Sequence, residues 1–248
     1  MSSDPVVGCR SVNWQTVAMS VIRGARERAR IEVTAAIKDE ARRQLAAEGA
    51  ARLSLRAVAR ELGMVSSALY RYFPSRDELL TALIIDAYDA VGEAAEAALG
   101  ETAGDAPVAR WTAVCRAVRA WALAHPHEYA LLYGSPVPGY TAPQDTVAPA
   151  SRVGLALVAI ARDAQAAGEL TPPADEPLPD ELRTDVERFA ALLAADLPEP
   201  TLAGLTAAWS QLFGLIGFEV FGHFHRVVEA RDAFFDHSCA VLARQVGL

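Results

Sequence analysis

"LSLRAVARELGMVSSALYRYFPSRDELL", Leu53 to Leu80, is the stretch that decides the fold. Its centre, "GMVSSALYRYF", holds three aromatic side chains, two adjacent serines and one arginine. A buried helix does not place Tyr70, Arg71 and Tyr72 in a row, and a solvent loop does not carry so much aromatic surface. The flanks resolve the conflict. Ser54 can cap a helix through its hydroxyl, and Leu55, Val58, Ala59 and Leu62 then share one face. Gly63 ends that helix after two turns, as the residue that tolerates a left-handed helix stop. A third short helix follows within "VSSALYRYF", with Leu69 and Phe73 on one face, and Pro74 breaks it. Ser75 caps a fourth helix, and Glu78 three residues later completes an S-x-x-E capping box.

Upstream, "RGARERARIEVTAAIKDEARRQLAAEGA" sets Val33, Ile37, Ala41 and Leu45 at four-residue spacing, one apolar stripe on a helix of about five turns. Two short helices joined by a tight turn behind such a scaffold describe a helix-turn-helix. That unit lays its second helix in the major groove, where base edges carry a distinguishable donor and acceptor code. The small residues Ser66, Ser67 and Ala68 let the backbone approach the groove. Tyr70, Tyr72, Ser75 and Arg76 can donate to phosphates. Arg23, Arg26, Arg28 and Arg30 form a basic arm within reach of the backbone or minor groove. Two short core helices in an all-α protein are the competing reading of the same pattern.

Charge favours the first reading without deciding it. The formal net charge is −8, but residues 1–80 hold 13 Arg or Lys against 9 Asp or Glu. The remainder holds 10 basic and 22 acidic residues, so a basic N-terminal part sits on an acidic body. The three cysteines, Cys9, Cys115 and Cys239, show no metal spacing and read as reduced thiols. The start "MSSDPVVGCRSVNWQTVAMS" has no basic segment leading into an apolar core, so it is no signal peptide. No uninterrupted apolar run of about 18 residues appears, so no membrane span is expected and the placement is cytoplasmic.

The rest of the chain is read as helices and two Pro-rich connections. Residues 1–22 are expected to be a flexible extension, and Met19 is a candidate natural start. Asp105 and Pro107 open a helix through Trp111, Val114, Val118 and Trp121. "AHPHEY" breaks it, and "SPVPGYTAPQDT" and "LTPPADEPLPD" are surface loops. Further helices run through "VAPASRVGLALVAIARDAQAAG", "DELRTDVERFAALLAA", about 201–224 and 232–246. No strand and no repeat is read. The expectation is an all-α chain: the extension 1–22, a helix-turn-helix domain 23–80, and a larger helical domain 81–248, with the long fourth helix shared.

"LSLRAVARELGMVSSALYRYFPSRDELLTALI" resembles the DNA-binding segment of TetR-family transcriptional regulators, whose pattern is roughly T-x-R-x-I-A-x-x-x-G-V-S-x-x-x-L-Y-x-H-F-x-S-K-x-x-L. Arg56, Ala59, Gly63, Leu69, Tyr70, Phe73, Ser75 and Leu79 fall in register, while Val58, Tyr72 and Arg76 replace similar residues. The resemblance implies a symmetric homodimer on a pseudo-palindromic double-stranded DNA operator, with one recognition helix of each subunit in successive major grooves. It makes Arg56, Ser66 and Ser67 base-edge candidates and Tyr70, Tyr72 and Arg76 phosphate candidates, beside Ser54, Ser75 and the arm Arg26, Arg28 and Arg30. One departure stands out: Val65 occupies the position of the usual capping serine, so Ser66 is expected to take over the cap.

"AWSQLFGLIGFEVFGHF" resembles the C-terminal helix of a TetR subgroup with a Trp-His-Gly signature. Trp209 and Gly214 match, and Phe213 replaces the histidine. The resemblance implies that the last two long helices pair with their symmetry mates, with Leu205, Leu212, Gly217, Phe221 and Phe234 at the dimer interface. It also implies an effector pocket for a small, mainly apolar ligand, with Trp111, Trp121, Tyr129, Tyr133, Phe213 and Phe218 as linings and Glu219 and His223 as polar anchors. A purely intrachain core role is the alternative for each.

An enzyme would have to use the His125-x-His127 and His223-x-His225 pairs, His237 and the cysteines. Histidines two apart on a helix point to different faces, and no H-E-x-x-H, G-x-S-x-G, P-loop or G-x-G-x-x-G is present. No metal, cofactor or catalytic residue is expected. A helix-turn-helix protein that answers to a protein partner, with no small ligand, is the third reading.

Overall fold

The structure is a computed structural model and describes residues 14–173, 178–193 and 196–248. It is all-α among these residues, with no strand. In chain order the helices are α1 (Trp14–Glu48), α2 (Leu55–Glu61), α3 (Ser66–Leu69), α4 (Arg76–Glu101), α5 (Pro107–Ala124) and α6 (Pro126–Tyr133). Then come α7 (Val147–Ala167), α8 (Asp180–Leu193), α9 (Glu199–Val220) and α10 (Arg231–Val246). A 3₁₀ turn, Ala50–Arg52, joins α1 to α2.

α1 is longer than its apolar stripe. It begins at Trp14, so the expected boundary at residue 22 falls inside a helix, and Met19 lies within it. Gly24 is the one glycine between Val21 and Ala47, and no proline interrupts the run; a single glycine costs only about 1 kcal/mol there. Residues 1–13, Cys9 included, lie outside the described residues.

Two apolar cores share α4. Ile37, Ala41 and Leu45 of α1 pack with Leu55, Val58 and Ala59 of α2, Leu69 of α3, Phe73, and Leu79, Leu80, Leu83 and Ile84 of α4. From Ala87 onward α4 instead faces the second core, against α5, α7, α9 and α10. The division therefore runs through the middle of α4, between Ile84 and Ala87, and residue 80 lies wholly within the first core. A continuous helix thus contributes to both cores.

Polar contacts fix that joint. Lys38 of α1 donates to Asp86 at 2.7 Å, and Arg42 reaches Asp86 at 2.7 Å and Glu128 of α6 at 3.0 Å. Thr81 and Tyr140 share a hydroxyl–hydroxyl bond of 2.8 Å. Further along α4, Arg152 of α7 donates to both carboxylate oxygens of Glu96, at 2.8 and 2.7 Å, and to the carbonyl and carboxylate of Asp89. Gly92 makes room for this arginine, since a Cβ there would meet its side chain at 2.7 Å.

Two local expectations change. Ala106, not Asp105, precedes Pro107 as the cap of α5, without a side-chain bond. "PHEYALLY" is helical: His125 alone separates α5 from α6, and Pro126 starts the new helix at a position where its missing N–H costs nothing.

Candidate nucleic-acid interface

The second unit of α2 and α3 is built as the sequence required. Ser54 Oγ accepts from the Ala57 N–H at 3.4 Å and caps α2. Gly63, at φ 64°, closes it: Gly63 N–H donates to Arg60 O at 3.1 Å and Met64 N–H to Ala59 O at 2.8 Å. That pair of bonds is a Schellman stop, which needs the left-handed residue glycine supplies. Leu69 is fully buried and Phe73 nearly so, so α3 is held by its inner face alone. Ser75 Oγ accepts from the Glu78 N–H at 3.1 Å and starts α4.

The outer face is polar and free. Val65 is the cap of α3 and makes no side-chain bond; its side chain is 70% exposed. Ser66 is the first helical residue, so it does not replace the missing cap. Ser66 and Ser67 are both exposed, and no intrachain bond among the described residues holds their hydroxyls. Arg56 and Tyr70 are exposed, and Tyr72 is half-buried with its ring against the first core. Arg26, Arg28 and Arg30 are all exposed on α1, with Arg28 on the opposite side of the helix from the other two. Arg71, between the two tyrosines, is exposed as well; its place in the Tyr-Arg-Tyr run signalled this, yet it was not among the expected contacts.

Arg76 is placed differently from expectation. Its Nη2 donates to Ala50 O at 2.8 Å and Ala51 O at 3.3 Å, and its Nε to Leu53 O at 3.2 Å. The guanidinium therefore clamps the turn after α1, at the negative end of that helix, to the start of α4. The oxygens of Ser54 and Ser75 accept the capping bonds, which leaves each O–H free to donate.

The matches with known proteins agree with this geometry. Residues 37–83 match the family model "Bacterial regulatory proteins, tetR family", and residues 111–242 match "Tetracyclin repressor-like, C-terminal domain". The chain belongs to the TetR family of bacterial transcriptional regulators. It is 43% identical over 204 residues to the HTH-type transcriptional regulator Rv1816 of Mycobacterium tuberculosis and to Mb1846 of Mycobacterium bovis, covering 81% of this chain and 86% of each relative. A crystal structure of SCO4313, described as a candidate regulatory protein, superposes with a TM-score of 0.71 at 36% identity, over 87% of this chain and 97% of the other. A Rhodococcus protein of unknown function shares the fold at a TM-score of 0.66 and 24% identity.

In this TetR-family chain the expected effector aromatics are mostly core. Trp111 is fully buried, and Trp121 stacks on His125 with centroids 5.4 Å apart. Tyr129 donates to Phe213 O at 2.6 Å, and Tyr133 stacks on Phe213 at 4.1 Å. Burial pushes the Tyr129 and Tyr133 phenols far above their ordinary values. Glu219 is no free anchor: Arg119 grips both its oxygens at 2.6 and 2.7 Å while lying 5.0 Å over the Phe235 ring. Phe218, expected in the pocket, is 55% exposed and lies beside His223 and Phe224.

The expected dimer residues divide. Leu205 and Leu212 are buried in the body's own core, and the Cα of Gly217 faces the Tyr129 hydroxyl, so these three are intrachain. Phe221 and Phe234 are partly exposed. Sequence spacing could not separate the two faces of α9 because both are apolar. The helix is long and apolar enough to cross a membrane by length and composition, yet its inner side is packed in the core. Its outer side forms, with α10, a groove of about 470 Å³ lined by Gly214, Leu215, Phe218, Phe224, Phe234 and Val241.

A separate, smaller cavity of about 170 Å³ lies between α7, α8 and α9. Ser151, Gly154, Leu157 and Val158 form one wall, Phe189 a second, and Leu205, Thr206 and Trp209 the third. None of the expected pocket residues lines it. Among the described residues no cluster of three or more His, Cys, Asp or Glu side chains is arranged to hold a metal. Cys115 and Cys239 are buried, unpaired thiols, and burial holds the Cys115 thiol well above its ordinary range.

Proposed function

We propose that this TetR-family regulator is a cytoplasmic repressor that binds a pseudo-palindromic operator as a homodimer and leaves it when a small, mainly apolar ligand enters the body. The observation that carries the reading is the outer face of α3. Its serines are exposed and unbonded, arginines and tyrosines surround them, and all the anchoring is done from the opposite side. Arg56, Ser66 and Ser67 then read base edges, while Tyr70, Tyr72, Arg71 and the α1 arginines Arg26, Arg28 and Arg30 hold phosphates.

The outer faces of α9 and α10 supply the dimer contact. An exposed apolar helix face needs cover, and the open groove is lined mainly by Phe218, Phe224 and Phe234, with Gln211, His237 and Ser238 among them. A Cβ on Gly214 would meet nothing within 4 Å, which leaves space for a partner helix to approach closely. Trp209 and Gly214 keep two of the three residues of the Trp-His-Gly signature, and the chain is a variant of that subgroup with Phe213 packed on Tyr133.

Footprinting the purified protein on the DNA flanking its own gene tests the reading. Protection of two half-sites about 34–36 Å apart is expected. Arg56→Ala and Tyr70→Ala should each weaken operator binding by ~1–3 kcal/mol with fold and dimer intact. Unchanged affinity in both variants would remove α2 and α3 from the interface.

A further inference from the structure

We infer that the effector is an uncharged apolar molecule of about one aromatic ring, bound in the cavity between α7, α8 and α9; this deepens the repressor reading above and rests on it. Size comes first. The cavity holds about 170 Å³, comparable to the ~150 Å³ of an apolar cavity that accepts benzene, and it opens to solvent beside Thr206 and Trp209. A two-ring or long-chain ligand leaves part of its apolar surface in water at that opening or displaces a wall.

Polarity comes second. Three polar side chains line the cavity: Trp209, whose indole stands at its exposed edge, and two hydroxyls that have spent their protons on their own helices, Ser151 Oγ donating to Ala148 O at 2.8 Å and Thr206 Oγ1 to Leu202 O at 3.0 Å. Neither hydroxyl is left as a donor, and no charged side chain lines the space among the described residues. A carboxylate entering it would lose water and gain neither a cation nor a hydroxyl donor. The nearest guanidinium along α7, that of Arg152, is committed to Asp89 and Glu96 of α4.

The walls also explain how occupancy is sensed. Ser151 and Gly154 line the cavity on the same turn of α7 that carries Arg152. Trp209, 39% exposed, sits at the cavity's edge and meets Phe213 edge-on at 5.5 Å. A Cβ on Gly154 would meet nothing within 4 Å, so larger side chains at this position grow into open space.

The test titrates the full-length protein with toluene, benzoate and naphthalene, reading melting temperature and tryptophan emission. Toluene at ten times its dissociation constant should raise the melting temperature by roughly 3–6 °C, saturably, with benzoate and naphthalene giving no shift. Gly154→Leu should abolish the toluene response while melting no lower than the parent. Should it melt lower, Thr206→Leu fills the same space from α9 and must give the same loss. The inference is overturned by the absence of a saturable toluene response, by benzoate binding as well as toluene, or by toluene binding that survives both fillings. Operator anisotropy without ligand is measured in parallel: DNA binding with no toluene response defeats the cavity alone, and toluene binding without DNA binding defeats the repressor reading alone.

Discussion

Replacing Arg76 with alanine separates a phosphate contact from a structural clamp. The side chain donates to three carbonyls, Ala50 O at 2.8 Å, Leu53 O at 3.2 Å and Ala51 O at 3.3 Å. A hydrogen bond to a charged group contributes ~1.5–3 kcal/mol, and a cation at a helix C-terminus adds ~0.3–1 kcal/mol. The sum overstates the case, because the side chain is 29% accessible and water can replace part of what it gives to Ala50 and Ala51. A net loss of about 2–3 kcal/mol is expected, which corresponds to a melting-temperature drop of roughly 4–12 °C for a chain of this size. Far-UV circular dichroism reads the first quantity. Operator affinity over a salt series, at a temperature where the variant is folded, reads the second. A clamp leaves the slope of log K against log salt unchanged, whereas a lost phosphate contact makes it shallower by about 0.9. Arg76→Lys should recover less than half of the lost stability, since one ammonium cannot fork across separate carbonyls. A melting temperature within about 1 °C of the parent, together with a shallower salt slope, would refute the clamp and return Arg76 to the DNA.

Three further outcomes follow from the body. Glu219→Gln leaves Arg119 buried with only the exposed Asp232 as a charged partner, and should cost about 3–5 kcal/mol in urea unfolding, more than Arg119 and Glu219 lose when both are made apolar. Arg152→Ala should keep operator binding but weaken the ligand's effect on it, by about 1–3 kcal/mol of coupling, read as operator affinity with and without toluene. Acid should act through Asp236 and Glu96, whose pKa values are held below the ordinary carboxylate range mainly by hydrogen bonds from Arg116 and Arg152. Their contribution is present above the unfolded carboxylate values and disappears as pH falls through the lower folded ones. Each is worth under about 1 kcal/mol at these exposed sites, so Arg116→Ala should flatten the acid limb slightly and high salt should do the same.

Legibility in the sequence followed the physics of each signal. Ser54, Gly63 and Ser75 act through bonds to residues three or four away, so the helix-turn-helix was readable almost to the residue. Arg76 was not, because the carbonyls it holds lie 23 to 26 residues earlier, and a surface arginine beside tyrosines reads equally well as a phosphate contact. Leu205, Leu212 and Gly217 failed for a different reason. α9 is apolar on two faces, and periodicity reports that a face is apolar without naming what covers it. Phe213 and Tyr133 looked like ligand-lining aromatics, yet they satisfy one another. The cavity is lined by small and aliphatic residues at α7 and α9 spacing, a pattern no different from core, so only the three-dimensional arrangement could reveal it.

The path from that cavity to α3 is physically continuous, but continuity does not amount to coupling; an element with two arrangements is required. α4 is the helix that both apolar cores share and that ion pairs from α1 and α7 hold. Arg152 holds it at Asp89 and Glu96, across Gly92, and Lys38 and Arg42 hold it at Asp86, less than one turn from Asp89. Arg42 also reaches Glu128 of α6, so α1, α4 and α6 meet at one guanidinium. These are exchangeable ion pairs at half-buried positions, each individually weak, above a helix whose first half belongs to the DNA-reading core. A small shift of α7 can therefore move α4 by re-pairing charges without opening either apolar core. Such a joint predicts that Glu128→Gln changes how strongly the ligand lowers operator affinity while leaving ligand affinity for the DNA-free protein unaltered. A cavity that acted by loosening the body as a whole would change both together.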